Sequence, residues 1–188
     1  MSKKTMVIDL IRERRSVFPD SYSSEKISKE ELEILLEAAN WAPTHKRTEP
    51  WRFKVLRGKS LEKLGAFLAA KYVEVVEKPK QFKINKLKEN PTKAGAIIAI
   101  CMQRDEKEQL PEWEEIAATA MAVQNMWLCC VEMGLGAYWS SPRLISYMDE
   151  FFDLNKGEKC LGFFYVGKYS SPIPAIERGS IEEKTVWL

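Results

Sequence analysis

The run from Trp113 to Pro142, WEEIAATAMAVQNMWLCCVEMGLGAYWSSP, constrains the rest of this chain more than any other stretch. Between Ile116 and Val131 it is apolar nearly all round, interrupted only by Thr119, Gln124 and Asn125. A helix apolar on every face must be covered on every face. At 1.5 Å per residue, its roughly 20 residues reach about 30 Å, the width of a small domain. Glu114 and Glu115 stand at its start, where the positive end of the helix dipole favours acids. Gly134 and Gly136 supply its exit, and Ala137 to Ser140 reads as a short strand. The apolar run is too short, and charges come too early, for the ~18 residues a membrane span requires. A central helix followed by a strand is therefore expected. GAYWSSP then places backbone and hydroxyl groups where they can border a flat ligand.

The flanking sequence alternates helix and strand signals. Thr5 to Arg15 reads as a first helix, with Met6, Ile8, Leu10 and Ile11 apolar and Arg12, Arg14 and Arg15 in its last turn. Ser28-Lys29-Glu30-Glu31 has the form of a capping box and starts a second helix carrying Leu32, Leu35, Leu36 and Ala39. Pro43 closes that helix and opens the polar loop APTHKRTEPW. Trp51 to Leu56 reads as a strand with one buried face, and Gly58 as a turn. Ser60 is placed to cap a third helix with Leu61, Leu64, Leu68 and Val75 on one side, closed by Pro79. Lys78 to Lys93 is lysine-rich and reads as a solvated helix or mobile segment in preference to a binding patch. GAIIAICM (95–102) and CLGFFYVGK (160–168) fit buried strands. Ser141-Pro142 reads as cap and first position of a helix bearing Leu144, Ile145, Met148, Phe151 and Phe152. The interleaving predicts an α+β domain, a sheet packed between helices, spanning 1–188. Residues 170–188 form an extension whose apolar end, Val186-Trp187-Leu188, is expected to dock on a partner subunit.

Several function classes lose support at once. A net charge of +2 gives no basic footprint for nucleic acid. A single histidine, His45, excludes a histidine-rich metal site within one chain. Cys101, Cys129, Cys130 and Cys160 lie in apolar surroundings without CxxC spacing and read as buried free thiols. The N-terminus lacks the apolar segment of a signal peptide, so a cytoplasmic location without membrane attachment is expected. No GxGxxG, GxxxxGK[ST] or HExxH pattern is present.

Three groups of residues are candidates for chemistry. Arg14-Arg15-Ser16 reads either as solvated helix-end arginines or as a phosphate cradle, since the planar guanidinium fork matches phosphate oxygens. His45, with Lys46, Arg47 and Glu49, reads as an exposed loop histidine or a ligand contact, and no nucleophile is marked as its partner. Trp139-Ser140-Ser141 reads as core plus helix cap or as a ligand edge.

Taken in order, RERRSVFPD, AANWAPTHKRTEPWRFKVL, AVQNMWLCCVEMGLGAYWSSP and GSIEEKTVWL resemble the nitroreductase family of flavoproteins, in particular its short bacterial YdjA-like branch. The resemblance extends from Arg12 to the C-terminus. It implies a nitroreductase-like α+β fold with a mostly antiparallel central sheet. It also implies an intertwined homodimer and one FMN at each of two interface sites. NADH or NADPH would be the electron donor in a ping-pong hydride transfer to a nitroaromatic, quinone or related small-molecule acceptor. By matching motifs, Arg14, Arg15 and Ser16 correspond to phosphate and ribityl contacts, and His45 and Glu49 to a loop reaching the flavin of the other subunit. Trp139, Ser140 and Ser141 correspond to the segment beside the isoalloxazine or its tail, and Arg178 to a phosphate contact near the C-terminus. Glu49 stands where relatives often carry glutamine, and a carboxylate accepts hydrogen bonds without donating them. No general acid, base or metal ligand is implied, because the cofactor carries the chemistry. Enone reduction, dehalogenation or flavin fragmentation on the same scaffold, or a non-catalytic flavin-binding dimer, are the alternatives.

Overall fold

A computed structural model of the chain describes residues 3–171, 174 and 176–188, with side chains from residue 6 onward. Its helices are α1 (Lys3–Glu13), α2 (Lys29–Asn40), α3 (Lys59–Val75), α4 (Gln81–Glu89) and α5 (Glu112–Glu132). Its strands are β1 (Trp51–Leu56), β2 (Ala96–Gln103), β3 (Leu135–Ser140) and β4 (Glu158–Lys168). The strands form one antiparallel sheet in the order β1-β2-β4-β3. β2 and β3 both run antiparallel to β4, which lies between them, and α5 connects the two. That crossover needs a long helix, which the Ile116–Val131 run supplies.

The period of two in the strands divides the core between the faces of the sheet. Ala96, Ile98, Ile100, Phe164 and Val166 pack with α2 and α5 on one face. Ile97, Ala99, Cys101, Phe163 and Tyr165 pack with α3 and residues 143–152 on the other. β2 is buried almost throughout. Near one end the ladder contains a bulge: Cys101 pairs with Cys160, but Ile100 pairs with Gly162, leaving Leu161 as the extra residue. Cys160 and Phe163 therefore face the same core although three positions apart.

The capping box forms. Glu31 N–H donates to Ser28 Oγ at 3.1 Å, and Ser28 N–H donates to the Glu31 carboxylate at 2.7 Å. Leu32, Leu35 and Ala39 then occupy the buried face of α2. In α5, Thr119 donates to the Glu115 carbonyl at 2.9 Å and Asn125 to the Ala38 carbonyl at 3.1 Å, while Gln124 is exposed. These three interruptions of the apolar run are thus satisfied or solvated. Within one chain α5 is not covered all round, because Trp113, Ile116 and Met121 are exposed. Gly134, at φ +65°, ends the helix turn.

Several local expectations are corrected. α1 stops at Glu13, so Arg14 and Arg15 lie past the helix and not in its last turn. Gly58 precedes α3, and Ser60, inside its first turn, instead exchanges hydrogen bonds with the backbone of Arg57. Val75 is exposed, unlike Leu61, Leu64 and Leu68. Residues 143–150 form a 3-10 helix whose cap position is Pro142, so Ser141 caps nothing and Phe151 and Phe152 follow the helix. Gly136 is in β3, not in the helix exit. The lysine-rich segment contains α4, which is solvated on most of its surface but contributes Ile84 and Leu87 to the core beneath α3. The terminal residues Val186, Trp187 and Leu188 are exposed. Among the described residues, no helix is long and apolar enough to cross a membrane.

Candidate functional site

The Arg14-Arg15-Ser16 segment is fastened to the domain at two points. Trp127, on α5, donates its indole N–H to the Arg15 carbonyl at 3.1 Å, and the Arg14 guanidinium lies 4.6 Å above the same indole ring. One residue further, Val17 N–H donates to the Ala137 carbonyl of β3 at 2.9 Å. Val17 also lies against Gly136, where any Cβ would come within 2.9 Å of the valine side chain. The glycine is required there for close approach, not for turning. Tyr22 completes the anchorage by donating to the Val17 carbonyl at 2.8 Å.

Three guanidiniums gather here, with Glu13 bordering the same cavity as Arg15. Burial, then Arg178, then Arg15 hold the Arg14 guanidinium below its ordinary value. The tail thus returns Arg178 to where its charge is felt at Arg14. Among the described residues, no carboxylate forms an ion pair with Arg14, Arg15 or Arg178. Arg15 Nε is buried without a hydrogen-bond partner among the described residues. Such a donor normally has a partner, because leaving it unmade costs free energy. The arrangement fits an anion with several oxygens, such as a phosphate monoester.

Beyond Ala137, β3 delivers the second group. Trp139 is half-buried on the α5 side of the sheet, and β4 passes closely beneath it. Gly162, at φ +149°, makes this approach feasible, since a Cβ would collide with Trp139 Nε1 and the Ser140 carbonyl. On the opposite face Tyr138 stacks on the exposed Phe18 ring, with centroids 4.6 Å apart. Ser140 borders a cavity of about 400 Å³ that also touches Pro19, Lys86, Asn90, Pro142 and Tyr165. Ser141 is exposed just past the strand.

The third group lies elsewhere. His45 Nδ1 and Glu114 Oε2 are 2.7 Å apart, which fastens the 43–49 loop to the N-terminal end of α5. Lys46, Arg47 and Glu49 all have positive φ, at 50°, 55° and 41°. Such non-glycine conformations persist only where their surroundings hold them. Here Lys46 donates to the Gln109 carbonyl at 3.4 Å, and Glu49 N–H donates to Thr44 Oγ1 at 3.2 Å. Glu49 itself is exposed. From Glu114 to Trp127 is 13 positions of α5, or about 20 Å along the helix. One chain therefore brings Arg14, Arg15, Ser16 and Arg178 together, sets Trp139 and Ser140 on the adjoining strand, and leaves His45 and Glu49 apart.

Some contributors escape sequence reasoning. Trp127 reads as core from its place in an apolar helix. Glu115 reads as a dipole partner, yet it is buried, ion-paired with Arg104, and accepts from Asp105 N–H at 3.0 Å. Lys86 and Asn90 sit in a segment whose charge density suggests only solvation.

Comparison with known proteins accords with this geometry. The family model described as "Nitroreductase family" matches residues 11–168. "Putative NAD(P)H nitroreductase YdjA" of Escherichia coli (strain K12) is 31% identical over 140 residues, covering 73% of this chain and 75% of that protein. The crystal structure of a nitroreductase-like family protein from Bacillus cereus superposes with a TM-score of 0.86 at 28% identity, covering 100% of this chain and 98% of the other. A structure from Desulfovibrio desulfuricans, solved in complex with FMN, shares the fold with a TM-score of 0.73 at 23% identity, over 97% of this chain and 96% of the other. With its antiparallel sheet between helices and a family match over most of its length, this chain belongs to the nitroreductase family.

Proposed function

We propose that the protein is an FMN-dependent oxidoreductase that uses NADH or NADPH to reduce a small-molecule acceptor of the nitroaromatic or quinone class. The observation that carries this reading is the cluster of Arg14, Arg15 and Arg178 without a carboxylate partner among the described residues, with Arg15 Nε buried and unpartnered. These residues fit the phosphate of FMN, and Ser16 lies in reach of the same segment. Trp139 and Ser140 lie on the strand, and Ser141 just past it, where the flat end of the cofactor would extend. Held there, FMN would supply the two-electron, ping-pong hydride chemistry between the nicotinamide and the acceptor. The side chains bind and orient, and none of them is assigned a role as acid or base. The naming of YdjA and the FMN complex of the Desulfovibrio relative support the choice of donor and cofactor.

The working unit in this reading is a homodimer. Val7, Ile8 and Ile11 of α1, Trp113, Ile116 and Met121 of α5, and Ile181, Trp187 and Leu188 of the tail are exposed apolar side chains. A monomer would leave a large hydrophobic surface in water. The separation of His45 and Glu49 from the arginine cluster is resolved if the loop of one subunit completes the flavin site of its mate. The exposed apolar end of the tail, Val186 to Leu188, docks on that mate. The cytoplasm, where NADH and NADPH are available, is the proposed location.

The visible spectrum of freshly purified protein, recorded before and after anaerobic addition of NADH or NADPH, tests the reading. A yellow flavin band that bleaches is expected. A colourless protein that neither binds added FMN nor oxidises the nicotinamide overturns it.

A further inference from the structure

The cavity beside Ser140 continues into a second, of about 740 Å³, and the two share Lys83, Leu87 and Pro142. Both volumes fall in the range of small-molecule sites. The second cavity lies between the C-terminal end of α3, α4 and residues 142–147. Its floor is apolar and aromatic: Tyr72, Val75, Val76, Leu144 and Tyr147. Val75 is exposed although it belongs to the apolar series of α3, so this surface is not consumed by the core. The polar groups on the lining are unequal in sign. Lys83 and Arg143 border the cavity, and Lys83 Nζ lies 5.2 Å over the Tyr72 ring. Neither cation has an ion-pair partner among the described residues. Glu74 of α3 and Glu150 of the 143–150 helix are engaged with Lys71 at 2.8 Å and 2.5 Å, and no acid is among the residues lining the cavity. Ser146 donates to the Arg143 carbonyl at 2.9 Å. The cleft therefore has an apolar, ring-lined middle, one end at Ser140 where Lys86 also stands, and two cations without an ion-pair partner among the described residues, Lys83 and Arg143, on the rim of the larger cavity.

We infer that this cleft takes the electron acceptor and selects planar aromatic acceptors that carry a carboxylate, with Lys83 and Arg143 holding the carboxylate. The inference rests on the oxidoreductase reading and narrows its acceptor class. The aromatic ring is accommodated by Tyr72, Tyr147 and the aliphatic floor, with the reducible group directed toward the Ser140 end. Lys83 serves as a point charge and Arg143 as a planar fork. Both are exposed side chains, so replacing them leaves the core intact.

The test is a calorimetric titration of the full-length protein, loaded with FMN, with 4-nitrobenzoate and separately with its methyl ester. The ester keeps the ring and the nitro group and loses the charge. Wild-type protein is expected to bind the carboxylate about tenfold more tightly, the scale of one charge-assisted contact. The double substitution Lys83→Gln with Arg143→Gln is expected to bring the two affinities together. Equal affinities in the wild type overturn the inference, as does a carboxylate preference that survives the double substitution, since the anion would then sit at the arginine cluster or elsewhere. Binding is read without turnover. Failure of NADH and NADPH to bleach the flavin therefore counts against the oxidoreductase reading alone, and loss of the carboxylate preference counts against the cleft alone.

Discussion

The indole N–H of Trp127 donates to the carbonyl of Arg15 at 3.1 Å, tying the C-terminal third of the longest helix to a segment 112 positions earlier. The same ring supports the Arg14 guanidinium. A residue that sequence alone assigns to the core thereby aims the charged groups that distinguish this surface from an ordinary helix end.

Replacing Arg14 and Arg15 together by alanine is expected to weaken FMN binding by at least a hundredfold. Each charge-assisted hydrogen bond to a phosphate contributes roughly 1.5–3 kcal/mol, about tenfold or more apiece. Fluorescence titration with FMN reads the loss, and unchanged affinity would remove these residues from the site.

Trp127→Phe preserves a ring beneath Arg14 and deletes the N–H. The expected result is flavin affinity lowered by about fivefold, corresponding to one neutral hydrogen bond of ~1 kcal/mol. Circular dichroism should be unaltered. Wild-type affinity in this variant would show that the Arg15 backbone needs no anchoring.

Gly162→Ala puts a methyl group against Trp139 and the Ser140 carbonyl at a backbone angle that alanine adopts poorly. Overpacking of this kind destabilises by about 1–3 kcal/mol. Chemical denaturation should register that change, accompanied by reduced flavin occupancy as Trp139 is displaced. Alanine at Gly157, with φ +79° but farther from the site, is the control: it should cost stability without affecting the flavin.

The capping box carries a pH dependence of definite sign. The Ser28 N–H holds the Glu31 carboxyl below the usual glutamate range. Because the folded-state value is depressed, the stabilisation is present above the ordinary value of about 4 and is lost as pH falls through the lower, folded one. Wild-type protein should accordingly exceed Glu31→Gln in stability at pH 7, and the two should converge in acid below about pH 4. A difference that persists undiminished at pH 2 would assign the effect to something other than the charge.

If Trp187, exposed in the single chain, is buried in the proposed homodimer, Trp187→Ala is expected to weaken that dimer by about thirtyfold or more, since buried tryptophans at interfaces contribute about 2 kcal/mol or above. Sedimentation velocity across a dilution series measures it. A wild-type chain that sediments as a monomer while retaining stoichiometric FMN would defeat the interface site altogether.

Much of the architecture is legible in the residues because it rests on local chemistry. Ser28 and Glu31 write the start of α2, and the unbroken apolar runs at 95–102 and 160–168 write the central strands. What escapes depends on partners distant in sequence. Glu115 has the same local signature as Glu114, yet one is buried against Arg104 and the other faces His45. Gly134 and Gly136 look alike in sequence, but the first turns a helix and the second admits Val17 to β3. The end of α1 is misread because Arg14 and Arg15 are good helix formers, and the tertiary bond from Val17 to Ala137 draws the chain into an extended path. For the proposed site, the motif order points to Arg14, Arg15 and Arg178, whose charges the fold brings near one another. The cleft of Lys83 and Arg143 is invisible because a lysine run has no periodicity that separates rim from solvent.

The bulge at Leu161 has a consequence for how this strand can change length. Everywhere else in β4, inserting or deleting one residue would exchange the occupants of the two cores, sending Phe163 and Tyr165 toward α5 and Phe164 and Val166 toward α3. At Leu161 the ladder already accommodates one residue more than its partner, so its loss would restore a regular ladder with every later side chain on its present face. Single-residue gaps among relatives should therefore concentrate here, directly under Trp139, where a change of length re-aims one indole without inverting a core.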